Sequence, residues 1–176
     1  MEKVLLVIDM QNDFVTGALG SAQAVAVVEG IRRRVEEYQR ENRTVLFTMD
    51  THMDCEYREG RLTQEAARFP KHCIRDTPGW ELVPALQPYA KADQITKSTF
   101  LAQDLAEQVR RSHGENVEFL LCGVCTDICV ASNALALRAA FPHSRISVEA
   151  ALCAGTTPEN HDAALAVMGS CLIDIV

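Results

Sequence analysis

The sequence is short of positive charge: 17 lysines and arginines face 24 aspartates and glutamates, a formal net charge of −7. With no basic stripe, that balance argues against nucleic acid or an anionic membrane as partner. Long hydrophobic runs are missing too; no apolar stretch approaches the roughly 18–20 residues that a membrane span requires. Glu2 and Lys3 lead directly into an apolar run at 4–8, so no signal peptide is expected. Internal repeats, linkers and low-complexity tracts are absent. Cysteines do not supply a disulfide framework: the seven, at 55, 73, 122, 125, 129, 153 and 171, are odd in number, and the chain is too long to depend on staples. Reduced thiols in a cytoplasmic protein are the simplest reading.

What remains is 176 residues, 48% hydrophobic and 23% charged, enough for a single domain with a full core. Short apolar runs alternate with helical stretches. The runs lie at 3–9, 44–50, 93–96, 117–122, 145–150 and 171–176. Helical periodicity covers 22–40, with Val25, Val28, Ile31, Val35 and Tyr38 on one side. Further helices are expected at 103–113, stopped by Gly114, and at 127–140. A capping box in Thr156-Thr157-Pro158-Glu159 opens a last helix that runs to about Met168. Strand–helix alternation with near-continuous apolar strands predicts a three-layer α/β/α fold around a six-stranded, mostly parallel sheet. The exception is a polar, turn-rich loop at about 51–91, long enough to carry function.

Ligands of open α/β sheets collect beyond the carboxyl ends of the strands. The first run ends at Asp9, the second at Asp50, the third just before Lys97, and the fourth enters Gly123-Val124-Cys125-Thr126-Asp127-Ile128-Cys129. Cys129 is expected in the first turn of a helix, where the dipole lowers a thiol's pKa. A nearby lysine favours the thiolate and a carboxylate carries the proton, so Asp9, Lys97 and Cys129 make an acid–base–nucleophile set. Cys122, Cys153 and Cys171 read as small buried hydrophobes. Cys122 and Cys125 also form a CxxC, which leaves a thiol redox pair or half a zinc site open. Asp50 and His52, two apart in an extended segment, project to one side and can share an ion. His72 is a third candidate ligand and Glu65 a fourth, a set that suits Zn, Mn or Fe better than Ca. His113, His143 and His161 read as surface or capping residues.

Three segments resemble a known family. They are Asp9-Met10-Gln11-Asn12-Asp13-Phe14 after the first strand, Lys97-Ser98-Thr99-Phe100 after the third, and Gly123 to Val130 after the fourth. Together they resemble the isochorismatase-like cysteine hydrolases over nearly the whole chain. Asp50-x-His52 and Phe69-Pro70-x-His72-Cys73 resemble the metal loop of that family's nicotinamidase branch. The resemblance implies a Rossmann-like sheet with helices on both faces and a catalytic triad of Asp9, Lys97 and Cys129. It also implies a cis peptide at Val124–Cys125 and an oxyanion hole from the N–H groups of Cys125 and Cys129. A cysteine at 125, where a small residue such as alanine is expected, departs from the pattern. The branch implies a divalent metal, zinc above manganese or iron, on Asp50, His52, His72 and Glu65, with no organic cofactor. Phe14 is expected against the substrate ring, and dimers or tetramers are expected.

The activity so implied is hydrolysis of nicotinamide to nicotinate and ammonia through a thioester on Cys129. Two alternatives stand beside it. One is a related hydrolase of carbamoyl, ureido or other small amides, often without the metal loop. The other is a thiol redox or metal-binding protein that uses Cys122 and Cys125. Isochorismate hydrolysis itself fits less well, because members that perform it lack the nucleophilic cysteine.

Overall fold

The computed structural model describes residues 1–58, 63–90 and 94–176. Its strands are β1 (Glu2–Ile8), β2 (Thr44–Asp50), β3 (Gln94–Lys97), β4 (Val117–Val124), β5 (Ile146–Ala154) and β6 (Asp174–Ile175). All pair in parallel in one sheet ordered β3-β2-β1-β4-β5-β6. Five apolar residues of β1, Val4, Leu5, Leu6, Val7 and Ile8, are fully buried. A strand covered on both faces has no solvent side to mark with polar residues, which is why these runs do not alternate. The first run, expected to reach Asp9, stops at Ile8, while β4 extends beyond its expected end at Cys122 to Val124. The last shrinks from 171–176 to the two residues of β6. Asp93, placed in the third run, lies outside the described residues.

The helices are α1 (Asn12–Val15), α2 (Ala22–Arg40), α3 (Gln64–Arg68), α4 (Leu105–His113), α5 (Ala131–Ala140) and α6 (Pro158–Ser170). Ser21 caps α2 by accepting the Ala24 N–H at 3.0 Å. α2 then lies across β1, β2, β4 and β5, while α4 packs on α5 and α5 on α6. The face of α2 that packs is Ala24, Val27, Ile31, Val35 and Tyr38; Val25 is 49% exposed and Val28 half-buried. The expected stripe was therefore rotated at its start, because the seam opens on an alanine, which carries little hydrophobic signal. Gly30 lies where α2 approaches β5; a Cβ there would come within 2.4 Å of the Leu152 side chain.

At the end of the fourth strand the expected single helix is two. A π-helical turn, Thr126–Val130, precedes α5. The capping box at α6 does not form: Thr157, not Thr156, accepts the Asn160 N–H at 3.1 Å, with Pro158 in the first turn. Cys122 and Cys153 are buried as expected, but Cys171, just beyond α6, is exposed. The chain moves from β1 to β2 and β3 on one side and returns to β4 on the other. The switch point between β1 and β4 therefore opens a crevice at their carboxyl ends.

Candidate active site

Asp9 follows β1 directly, with φ +48°, a left-handed conformation that costs a side-chain-bearing residue energy and turns the chain off the sheet. Its carboxylate accepts the Thr48 hydroxyl at 2.6 Å and meets Lys97 Nζ at 2.7 Å. Lys97, the last residue of β3 rather than the first after it, also reaches Asp50 Oδ1 at 3.0 Å. It donates to Cys129 Sγ at 3.6 Å. The carboxylate, amine and thiol singled out at three strand ends thus meet at one buried point. β4 can pass this close to β1 because residue 123 is glycine: a Cβ there would lie 2.2 Å from the Ile8 carbonyl oxygen, and φ is +118°. The Val124–Cys125 peptide is cis.

Burial sets the proton affinities. It pushes the Cys129 thiol well above its ordinary pKa, and the Asp9 carboxylate beside it adds to the rise; the Lys97 ammonium pulls the other way and loses. The lowered pKa expected from a helix N-terminus is overturned, since the sulfur is almost wholly enclosed and faces a carboxylate. Asp9 is also raised, by burial first, against the pull of Lys97. Burial opposes the charge on Lys97, but Asp9 and Asp50 outweigh it and hold the ammonium well above its usual range. Cys125 is pushed up to about 12, chiefly by burial.

The second cluster shares Asp50. His52 Nε2 lies 3.0 Å from Asp50 Oδ2, and His72 Nε2 lies 3.4 Å from the same oxygen. Glu65, on α3, brings Oε1 to 3.6 and 3.8 Å from the two Nε2 atoms. One donor atom from each of Asp50, His52, Glu65 and His72 falls within 4.8 Å of all the others. The far ring nitrogens are occupied: His52 Nδ1 by Glu56 at 2.9 Å and His72 Nδ1 by the Pro70 carbonyl at 2.7 Å. That fixes both rings with Nε2 turned inward, the outer-sphere arrangement metal-binding histidines use. Burial works against an imidazolium at His52, yet Asp50, Glu65 and Glu56 overcome it and push the pKa up to about 10. Burial likewise opposes charge on Asp50, but His52, His72 and Lys97 hold it well below the carboxylate range. Two imidazoles and two carboxylates so placed fit a divalent metal.

The first motif, of which only Asp9 and Phe14 were given roles from sequence, is used almost throughout. Gln11 is fully buried; its Nε2 donates to the carbonyls of Asp50 and Trp80 at 2.8 and 2.7 Å, and its Oε1 accepts the Asp50 N–H at 2.7 Å. Asp13 Oδ2 accepts the Cys73 N–H at 2.7 Å, anchoring the loop beside His72. Phe14 stands edge-on to the His72 ring, centroids 5.5 Å apart. These partners lie 39 to 69 positions away, so no local pattern announces them.

A cavity of about 290 Å³ is lined by Asp50, Glu65 and His72 from the donor cluster, by Cys125 and Cys129, and by Phe14. The rest of its lining is mainly apolar, including Phe69, Phe100, Val124 and Ile128. Cys122 is not part of it; burial holds that thiol well above its ordinary pKa.

A buried carboxylate, amine and thiol meeting under a cavity at the switch point of a parallel sheet covered on both faces mark a Rossmann-like α/β protein with a candidate active site. Residues 3–176 match the isochorismatase domain family, and the chain belongs to it. It is 32% identical over 149 residues to an isochorismatase family protein, PncA, of Bacillus subtilis, covering 77% of this chain and 78% of that one. The crystal structure of nicotinamidase/pyrazinamidase PncA from Bacillus subtilis superposes with a TM-score of 0.87 at 28% identity, over 100% of both chains. Pyrazinamidase of Pyrococcus horikoshii in complex with zinc gives 0.85 at 26% identity, over 100% of this chain and 99% of that one. Among the described residues no helix is long and apolar enough to cross a membrane.

Proposed function

We propose that the protein is a cysteine-dependent amidohydrolase whose preferred substrate is nicotinamide, converted to nicotinate and ammonia. The observation that carries this reading is Lys97 Nζ, within 2.7 Å of Asp9 and 3.6 Å of Cys129, next to a cavity lined both by Cys129 and by Asp50, Glu65 and His72 of the four-donor cluster. The relatives named nicotinamidase and pyrazinamidase support it.

Because burial keeps the Cys129 proton in place, the thiol waits neutral and is not a standing thiolate. Asp9, itself made more basic by burial, takes that proton as the sulfur attacks the carboxamide carbon. Lys97 holds Asp9 in line and balances the charge that forms. The backbone N–H groups of Cys125 and Cys129 hold the oxyanion. Asp9 then gives the proton to the departing amine, leaving a thioester, and ammonia is released. Water, deprotonated by Asp9, cleaves the thioester to nicotinate and restores the thiol.

Asp50, His52, Glu65 and His72 would hold the metal, zinc by the donor set and by the zinc in the Pyrococcus horikoshii protein. When bound it supplies a Lewis-acid anchor for the ring nitrogen. Phe14, which lines the same cavity edge-on to His72, packs against the ring. Seven unpaired cysteines favour a reducing, cytoplasmic setting.

The test is ammonia release from nicotinamide and from carbamoyl and ureido amides, with and without chelator. Release from nicotinamide that a chelator suppresses is expected. Release from the carbamoyl compounds alone, indifferent to chelator, would replace this reading with the related hydrolase.

A further inference from the structure

The turn that carries Cys129 is gripped from two sides by residues the mechanism does not use. On one side is α6. Thr126, the first residue of the turn and fully buried, brings Oγ1 to 2.8 Å from Nδ1 of His161, in the first turns of α6. Its neighbour Asp127 accepts the Thr156 N–H at 2.8 Å and the Thr156 hydroxyl at 2.5 Å. Asn160 Nδ2 in turn donates to that hydroxyl at 2.9 Å. The two elements approach so closely at residue 155 that a Cβ on Gly155 would lie 2.9 Å from His161 and 3.0 Å from Asp127. On the other side Asn133, fully buried in α5, donates to the Cys129 carbonyl at 2.8 Å and to the Phe100 carbonyl at 3.1 Å. Its Oδ1 accepts the Ala102 N–H at 3.0 Å.

From this we infer that His161 is a positioning residue: acting through Thr126, it sets where the sulfur of Cys129 stands relative to Asp9 and Lys97. This deepens the proposed function and rests on it. A π turn is a short, irregular helix whose own ladder fixes position weakly. A nucleophile displaced by about 1 Å loses rate steeply, up to about a hundredfold. Asparagine places an amide where the near nitrogen of histidine sits, so His161→Asn keeps a partner for Thr126 and His161→Ala does not.

The experiment compares H161A, H161N, T126V and the double variant T126V/H161A in the purified enzyme. Three quantities are measured: the alkylation rate of Cys129 by iodoacetamide, read on its own peptide by mass spectrometry; kcat and KM for nicotinamide; and Tm. The inference expects H161A and T126V each to slow alkylation and kcat about tenfold, with KM within about twofold because the donor cluster and Phe14 are untouched. H161N restores most of both rates, and the double variant is no slower than either single one, as for two ends of one contact. Unchanged alkylation and kcat in H161A would overturn it. So would losses in H161A and T126V that simply multiply in the double variant, or a loss in H161N equal to that in H161A. Wild-type protein inactive on nicotinamide would instead strike the proposed function, and the alkylation rates would still decide the role of His161.

Discussion

Replacing Lys97 with methionine keeps an unbranched apolar stem of nearly the same length and removes the charged end, so the consequence follows from what the ammonium touches. Two carboxylates depend on it, Asp9 at 2.7 Å and Asp50 at 3.0 Å, both buried. Asp50 keeps its two imidazoles, but Asp9 is left with the Thr48 hydroxyl alone. Removing one partner of a buried ion pair costs about 3–5 kcal/mol, because a desolvated charge is left behind. For a domain of this size that is a Tm lower by about 6–20 °C. Asp9 escapes by taking a proton, so its pKa, already raised by burial, rises further. A carboxylate raised in the folded state costs stability above its unfolded pKa, and the cost shrinks as the pH falls toward that value. The gap in Tm between K97M and wild type should therefore narrow from pH 7 to pH 5. A protonated Asp9 is no base, so kcat at pH 7 should fall at least about a hundredfold. Thermal unfolding at both pH values, beside ammonia release, checks this. A K97M protein as stable as wild type at pH 7, or a gap that widens on acidification, would refute the reasoning.

Cys129→Ala should abolish turnover while Cys125→Ala, which keeps the backbone N–H, should retain it within about tenfold; steady-state ammonia release decides, and the opposite pattern would move the nucleophile to residue 125. His52→Ala removes one donor and should lower bound metal, measured by elemental analysis, and raise KM for nicotinamide more than it lowers kcat. Gln11→Ala leaves the buried Asp50 N–H and carbonyl and the partly buried Trp80 carbonyl without their Gln11 partner and should cost about 1–3 kcal/mol or more in urea unfolding. On α2, Ile31→Ala should cost about 2–5 kcal/mol and Val25→Ala within about 0.5 kcal/mol, since only the first is buried; equal costs would contradict the assigned face.

How far the sequence carries depends on whether a signal is local. Strands buried on both faces announce themselves as unbroken apolar runs, and their polar ends place Asp9, Asp50, Lys97 and Cys129 at one edge of the sheet. His52 follows from its spacing to Asp50; His72 and Glu65 are legible as further candidate donors in the same long loop, and the family resemblance adds to them. The direction of the Cys129 shift did not follow, because helix position is local but burial and the charge of Asp9, 120 positions away, are not. Gln11, Asn133 and His161 escaped for the same reason: each owes its role to a partner 30 to 70 positions distant, or to a neighbour placed by the π turn. The α2 face and the α6 cap were missed by one residue, where alanine and paired threonines leave the pattern degenerate.

The central claim is that a carboxamide passes through a thioester on one particular sulfur. Mixing the enzyme with nicotinamide, quenching in acid within the first turnovers and mapping the adduct by peptide mass spectrometry tests it directly. The account predicts a nicotinoyl group on the peptide containing Cys129, sensitive to hydroxylamine and lost in C129A. Ammonia released with no acylated sulfur in wild type, or the group found on Cys125 and persisting in C129A, would contradict it.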